Sequence, residues 1–379
     1  MRGEAHEAEP VDWPKPTNDE GRKRRALRYR LLETARQITA HERLRKCMRC
    51  SRGFAGVSVR VGAEGRAHYA GLVRCGSVWL CPVCSQGIAM ERAEEVRTLL
   101  ERHRGAGGGD YLLTCTTPHD LGDALKPMRR HVARAWRFVV SGAPWKRIQA
   151  RYGLAYVRAQ ELTHGRNGWH PHLHILLLSA RPLTAAAQGE LEAFVLRRWQ
   201  RAIAKPDRET GNTYRVPLAG VGVKLTSCGR RDDYVTKLGL ADELAQGAAK
   251  RGHEGHRTPF QILRDIWQRD FTVQADVALW VEYASEMPGC KQLTWSRGLR
   301  KRYAIVEQTD LDLAAAEETT PAPITVYQFE DAVWAEMIAP LVGERIRILH
   351  LAEDYPPLEA GERIGRLVDR VLGITEVPF

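Results

Sequence analysis

The chain has 379 residues, 44% of them hydrophobic and 27% charged, which is enough apolar content for two or three cored domains and excludes wholesale disorder. Its longest apolar runs, such as Val277 to Val281, are too short to cross a bilayer, and the first twenty residues hold no apolar stretch. Neither membrane insertion nor export is expected, so the protein reads as cytoplasmic. The net charge of +11 is uneven: residues 306–379 hold fifteen acidic residues against five arginines and no lysine, a charge of −10 that leaves +21 on residues 1–305. A positive excess of that size suggests a polyanion partner, nucleic acid being the commonest, although a solubilising surface would carry charge too.

Residues 1–25 include Pro10, Pro14, Pro16 and the run Arg22-Lys23-Arg24-Arg25, lack apolar periodicity, and read as a flexible basic arm. Helical spacing from Ala26 to Leu44 leads into a cysteine region, Cys47 to Cys84, followed by a helix from Ile88 to His103 that stops at the glycine cluster 105–109. Together these form a helix and Cys-rich module over 26–104. The next domain, 105–305, opens with a strand at Tyr111 to Thr117 and a helix at Leu125 to Val140 with Pro127 in its first turn. Leu154 to Thr163 and His172 to Ser179 read as strands joined by a turn over 164–169, hence a β-hairpin. Helical patterns follow at 184–204, 232–249, 259–269 and 272–286. The predicted class is α+β, with a central antiparallel sheet flanked by helices. Thr319 to Pro323 reads as a linker within an acidic C-terminal segment, 306–379.

His170, His172 and His174 stand at i, i+2 and i+4 just before an apolar run, so a strand places them on one face. Random placement of 13 histidines would produce such a triplet in roughly 1–2% of chains of this composition. With the turn at 164–169, paired positions sum to 333, which sets Glu161 opposite His172. Two imidazoles and a carboxylate on one face form an open site for a divalent cation; a single histidine would read instead as a hydrogen-bonding group at a sheet edge. His172, His174 and Glu161 are the expected ligands. His170, which precedes Pro171 near the turn, is left to substrate contact or support of the ligands.

His172-Leu173-His174 resembles the His-hydrophobic-His signature of the HUH endonucleases, specifically the rolling-circle replication initiators of small bacterial plasmids. Leu113-Thr114-Cys115-Thr116 looks like that family's first motif, Arg158 to Thr163 resembles its Glu-bearing strand, and Tyr234-Val-Thr-Lys237 matches its Tyr-x-x-Lys. The segments Cys75 to Cys84 and Gln292 to Leu299 are also similar to segments of plasmid initiators, chiefly actinobacterial ones. The resemblance spans about Cys47 to Arg300. It implies that Tyr234 attacks the scissile phosphate of single-stranded or hairpin origin DNA, leaving a 5′-phosphotyrosine and a 3′-OH primer, with Mg²⁺ or Mn²⁺ as catalytic ion. Thr114 and Thr116 would support the site or contact substrate.

Asp232 or Asp233 can cap the helix that carries Tyr234 and Lys237 on one face. A tyrosine with a pKa near 10 attacks poorly at neutral pH unless a cation such as the Lys237 ammonium favours its phenolate character. By spacing alone Tyr234 reads as an ordinary helix tyrosine; the histidine hairpin reverses that. Some initiators carry a glutamate one turn before the tyrosine, where this chain has Arg230.

Five cysteines, Cys47, Cys50, Cys75, Cys81 and Cys84, fall within 38 residues, and without a secretory signal a structural Zn²⁺ site is the better reading than disulfides. Pair spacing favours both C-x-x-C pairs, whereas the resemblance favours Cys75, Cys81 and Cys84 with one of Cys47 or Cys50. No P-loop motif is present, so strand separation falls to a host helicase, and a host polymerase would extend the 3′-OH. Arg129, Arg130, Arg197, Arg198, Arg230 and Arg231 are the expected phosphate contacts. A homodimer is compatible with the sequence. Two other readings share its features: an HUH-type transposase or relaxase of a mobile element, and a non-catalytic zinc-containing DNA-binding regulator, which would bind DNA without covalent chemistry.

Overall fold

The computed structural model describes residues 19–53, 56–228, 255–315 and 323–374. The fold is α+β. Its strands are β1 (Val57–Val61), β2 (Ala67–Ala70), β3 (Gly109–Cys115), β4 (Ala155–Gly165), β5 (Gly168–Ser179), β6 (Val223–Ser227), β7 (His256–Arg257), β8 (Leu293–Trp295) and β9 (Ile324–Phe329). The chain divides into two compact units: Met1–Glu33, Ala40–Cys75 and Ala315–Phe379 in one, Thr34–Thr39 and Gly76–Ala314 in the other. Among the described residues, no helix is long and apolar enough to cross a membrane.

In the first unit β2, β1 and β9 form an antiparallel sheet in that order. A two-stranded ribbon buries too little to stand alone, and the acidic segment supplies its third strand together with helices Val342–Asp354 and Pro357–Val371. The expected separate C-terminal segment is thus built into the same unit as residues 40–75. The basic run also departs from its expected flexible state, because Asp19–Ile38 is one helix. Its charges are matched locally by the pairs Lys23–Asp19 and Arg24–Glu20 and at longer range by Glu353. That buried carboxylate accepts from Arg25 at 2.5 and 2.8 Å and from the Ala67 backbone N–H at 2.9 Å, and it pairs with Arg22 at 2.8 Å. Residues 1–18 lie outside the described residues.

The second unit holds a larger antiparallel sheet in the order β6-β3-β5-β4-β7, with β8 also paired to β4. Its central strand β5 is buried on both faces. Leu173, Ile175 and Leu177 pack with Met128, Trp136 and Val195 of the helices Leu125–Val139 and Ala185–Ile203. Leu176 and Leu178 point the other way, against Val96, Leu99 and Leu100 of the helix Pro82–Gly105. That helix therefore packs with the sheet instead of closing the cysteine module at residue 104. A one-residue slip of β5 would bury His172 and His174 and expose leucines worth about 1.5–3 kcal/mol each, so the two cores fix the register.

The hairpin pairs Glu161 with His172 and Thr163 with His170, in the register that the sequence predicts. Its turn is tighter than expected: pairing continues through His164–Trp169 to Gly165–Gly168, leaving only residues 166 and 167 unpaired. The Trp169 indole donates to Glu282 at 2.7 Å and stacks on Tyr283, which draws it into the strand. Gly168 has φ +89°, and a Cβ there would sit 3.2 Å from the Asp120 carbonyl oxygen, so only glycine suits this corner.

Replacing Glu353 with Ala leaves two arginines facing a void, and a loss of about 3–5 kcal/mol is expected. Chemical denaturation of the full chain checks this; a loss below about 1 kcal/mol, the range of surface pairs, contradicts it.

Candidate metal centre

The histidine face of β5 is covered by the helix Pro82–Gly105 over Leu176 and Leu178, and beyond that cover come His174, His172 and His170 in turn. Glu161 on β4 and both imidazoles offer ligand atoms that all lie within 4.8 Å of one another. One carboxylate oxygen, Glu161 Oε2, lies 2.9 Å from His174 Nε2 and 3.3 Å from His172 Nε2. His172 Nδ1 lies 3.2 Å from the His170 carbonyl oxygen, which can only accept, so a proton on Nδ1 would donate there and leave Nε2 free to face the carboxylate as a ligand. His174 Nδ1 is 3.4 Å from the Thr114 hydroxyl on β3. A nitrogen lone pair beside a carboxylate is repulsive unless positive charge lies between them, supplied by a proton or by a metal ion. The donor set of two imidazoles, both held from behind, and one carboxylate fits a divalent cation with positions left open.

Two further histidines join this face. His119, in the loop after β3, stacks on His170 with ring centroids 4.5 Å apart, and His256 of β7 lies 6.3 Å from His170. Burial first, then the neighbouring His172, His119 and His256 rings, push the His170 pKa down to about 3, so this imidazole is neutral. Burial lowers that of His119 as well. No local pattern marks either His119 or His256; the loop after β3 and the pairing of β7 with His164 and Gly165 bring them in. Thr116 donates to the Val221 carbonyl and so braces the approach to β6 instead of reaching the ligands.

Arg129, Arg130, Arg197 and Arg198 stand on the two helices that cover the opposite face of the sheet. Arg198 donates to the Phe138, Val139 and Ser141 carbonyls, and Arg130 pairs with Glu209. Tyr234, Lys237, Asp232, Asp233, Arg230 and Arg231 lie outside the described residues.

A second group consists of Cys47, Cys75, Cys81 and Cys84, all buried, with sulfurs within 4.8 Å of one another. Cys50 is exposed and stands outside it. The Cys75 N–H donates to Cys47 Sγ at 3.3 Å and the Cys84 N–H to Cys81 Sγ at 3.4 Å. Cys81 caps the helix that begins at Pro82, where the amide dipoles favour a thiolate. Four buried thiols, two of them accepting from backbone N–H groups and none in a disulfide, match the donors of a closed tetrahedral metal site.

No family model and no solved structure matches the chain. It is 28% identical to "Protein rep" of Streptomyces lividans over 70% of this chain and 72% of that protein. It is 31% identical to "Protein rep" of Lentilactobacillus hilgardii over 33% and 40%. The chain is thus similar to bacterial proteins named "Protein rep". A "Neomycin resistance protein" of Streptomyces cyanogenus is 35% identical over 33% of this chain and 34% of its own length.

Cobalt-loaded protein should show intense thiolate-to-metal absorption that Cys81→Ala abolishes and Cys50→Ala retains. Equal loss in both variants would contradict the assignment of Cys47 over Cys50.

Proposed function

We propose that the chain is a plasmid replication initiator that binds its origin and nicks one strand of single-stranded or hairpin DNA, with Tyr234 as the nucleophile. The carrying observation is the cluster of Glu161, His172 and His174 on an antiparallel hairpin; the homologues named "Protein rep" support the replication role. The Tyr234 oxygen attacks phosphorus, the bond to O3′ breaks, the phenolic proton passes to solvent and the departing O3′ takes up a proton. A 5′-phosphotyrosine and a 3′-OH result. Bond energy is kept in the ester, so the cut can be resealed. Lys237, three residues on, favours the developing phenolate.

His172, His174 and Glu161 would hold Mg²⁺ or Mn²⁺, which when bound withdraws charge from the phosphate under attack. The His170 carbonyl and Thr114 keep the two imidazoles aimed at Glu161. His256 of β7 lies 6.3 Å from the His170 ring, on the same face as the ligands. The four-cysteine group would hold Zn²⁺ as a structural ion. A host helicase and polymerase would use the 3′-OH, in the cytoplasm of a bacterium.

Incubation with labelled single-stranded origin DNA and Mn²⁺ should give a protein–DNA adduct that survives denaturation. The adduct is expected to disappear in Tyr234→Phe and with EDTA, and to fall more than about tenfold in His172→Ala. An undiminished adduct in Tyr234→Phe would refute the assignment.

A further inference from the structure

On the side of β4 away from β5, β8 pairs Trp295 with Val157 and Leu293 with Ala159. The Gln160 N–H donates to the Gln292 carbonyl at 3.0 Å, which extends the contact to the residue before Glu161. The ladder stops there, and Lys291, one residue further on, is exposed. Leu293 and Trp295 pack on the core under the histidine face, so β8 borders that face and not the one carrying Arg129 and Arg198.

Outside β8 lies a groove of about 590 Å³ lined by Arg92, Lys291, Trp295, Arg297, Arg300 and Lys301, among others. Its cations fall into two groups. Arg92 is held by Glu95 and Asp310 at 2.8 Å each, and Arg300 bonds Glu95 at 2.8 Å while lying 4.2 Å over the Trp295 ring. These two stiffen the wall. Lys291, Arg297 and Lys301 are exposed and have no acidic partner among the described residues. Asp310 is matched by Arg92, which leaves Glu307 as the unmatched carboxylate in the lining.

We infer that this groove carries single-stranded DNA away from the metal centre, with successive phosphates against Lys291, Arg297 and Lys301. The inference rests on the reading of the chain as a nuclease for single-stranded DNA and adds the path of its substrate. A strand with one phosphate at Glu161, His172 and His174 that runs towards β8 brings its later phosphates to these cations, while Lys224, paired with Thr114, borders the centre on the other side. An acidic peptide could fill the groove but would bring no phosphate to the ligands. Cations lining a wall with an aromatic ring suit a single strand, whose backbone needs charge and whose bases tolerate a flat apolar neighbour.

The test uses the full chain in EDTA, so that cleavage does not contribute, and reads binding of a short labelled single-stranded oligonucleotide by fluorescence anisotropy over a salt series. In the triple variant Lys291→Ala, Arg297→Ala, Lys301→Ala, affinity should fall at least about tenfold. The slope of log affinity against log salt should shrink by about 2, at about 0.7 per phosphate contact on a single strand. A variant losing equal charge elsewhere, Lys146→Ala, Arg147→Ala, Arg181→Ala, should keep both values, and thermal melting of each variant verifies folding. Wild-type affinity and slope in the groove variant, or equal loss in the other one, would overturn the path. If the wild-type chain forms the Tyr234 adduct while the groove variant binds normally, the path alone fails. Groove-dependent binding without any adduct supports the path and sinks the nuclease reading. Competition by a poly-glutamate peptide as effective as unlabelled oligonucleotide would overturn the choice of DNA.

Discussion

The pairing of β4 with β5 is the constraint on which the rest of the second unit depends. β5 is sandwiched between two apolar cores, so its register carries the packing free energy of several large side chains and has no inexpensive alternative. The three ligand atoms come from two adjacent strands in that one register, and none of them relies on a loop. A site of this kind is positioned by packing before any ion or substrate arrives, which is what precise chemistry at phosphorus needs.

Electrostatics then decides what the site can hold. Glu161 faces two imidazole nitrogens whose orientation is set from behind, by a carbonyl for His172 and a hydroxyl for His174. Burial keeps the neighbouring His170 ring neutral and lowers the pKa of His119. The half-enclosed centre lies on a face bordered on one side by β8, near the exposed Lys291, Arg297 and Lys301, and on the other by β6 with the exposed Lys224.

Much of this was legible locally. Alternating histidines before an apolar run reveal both the strand and its face, and the turn residues between 164 and 169 are enough to pair Glu161 with His172, although Trp169 joins the strand for reasons that lie in Glu282 and Tyr283, more than a hundred residues away. Thr114, singled out by its motif, lies 3.4 Å from His174 Nδ1. His119 and His256 were not singled out, because a loop and a two-residue strand carry no periodic signal. The three-residue β8 escaped for the same reason, and with it the groove. Arg198 looks like a surface cation in sequence, yet its guanidinium ties one helix to the end of another. The joining of the acidic segment to β1 is a pairing across more than 260 residues, beyond any local pattern.

The central claim is that a register fixed by packing creates a cation site from Glu161, His172 and His174. Crystals of the protein soaked in Mn²⁺ and measured at a wavelength where manganese scatters anomalously test it directly. The account predicts an anomalous peak within bonding distance of both Nε2 atoms and the Glu161 carboxylate. A clear map with these side chains ordered and no peak among them, at saturating Mn²⁺, would contradict it.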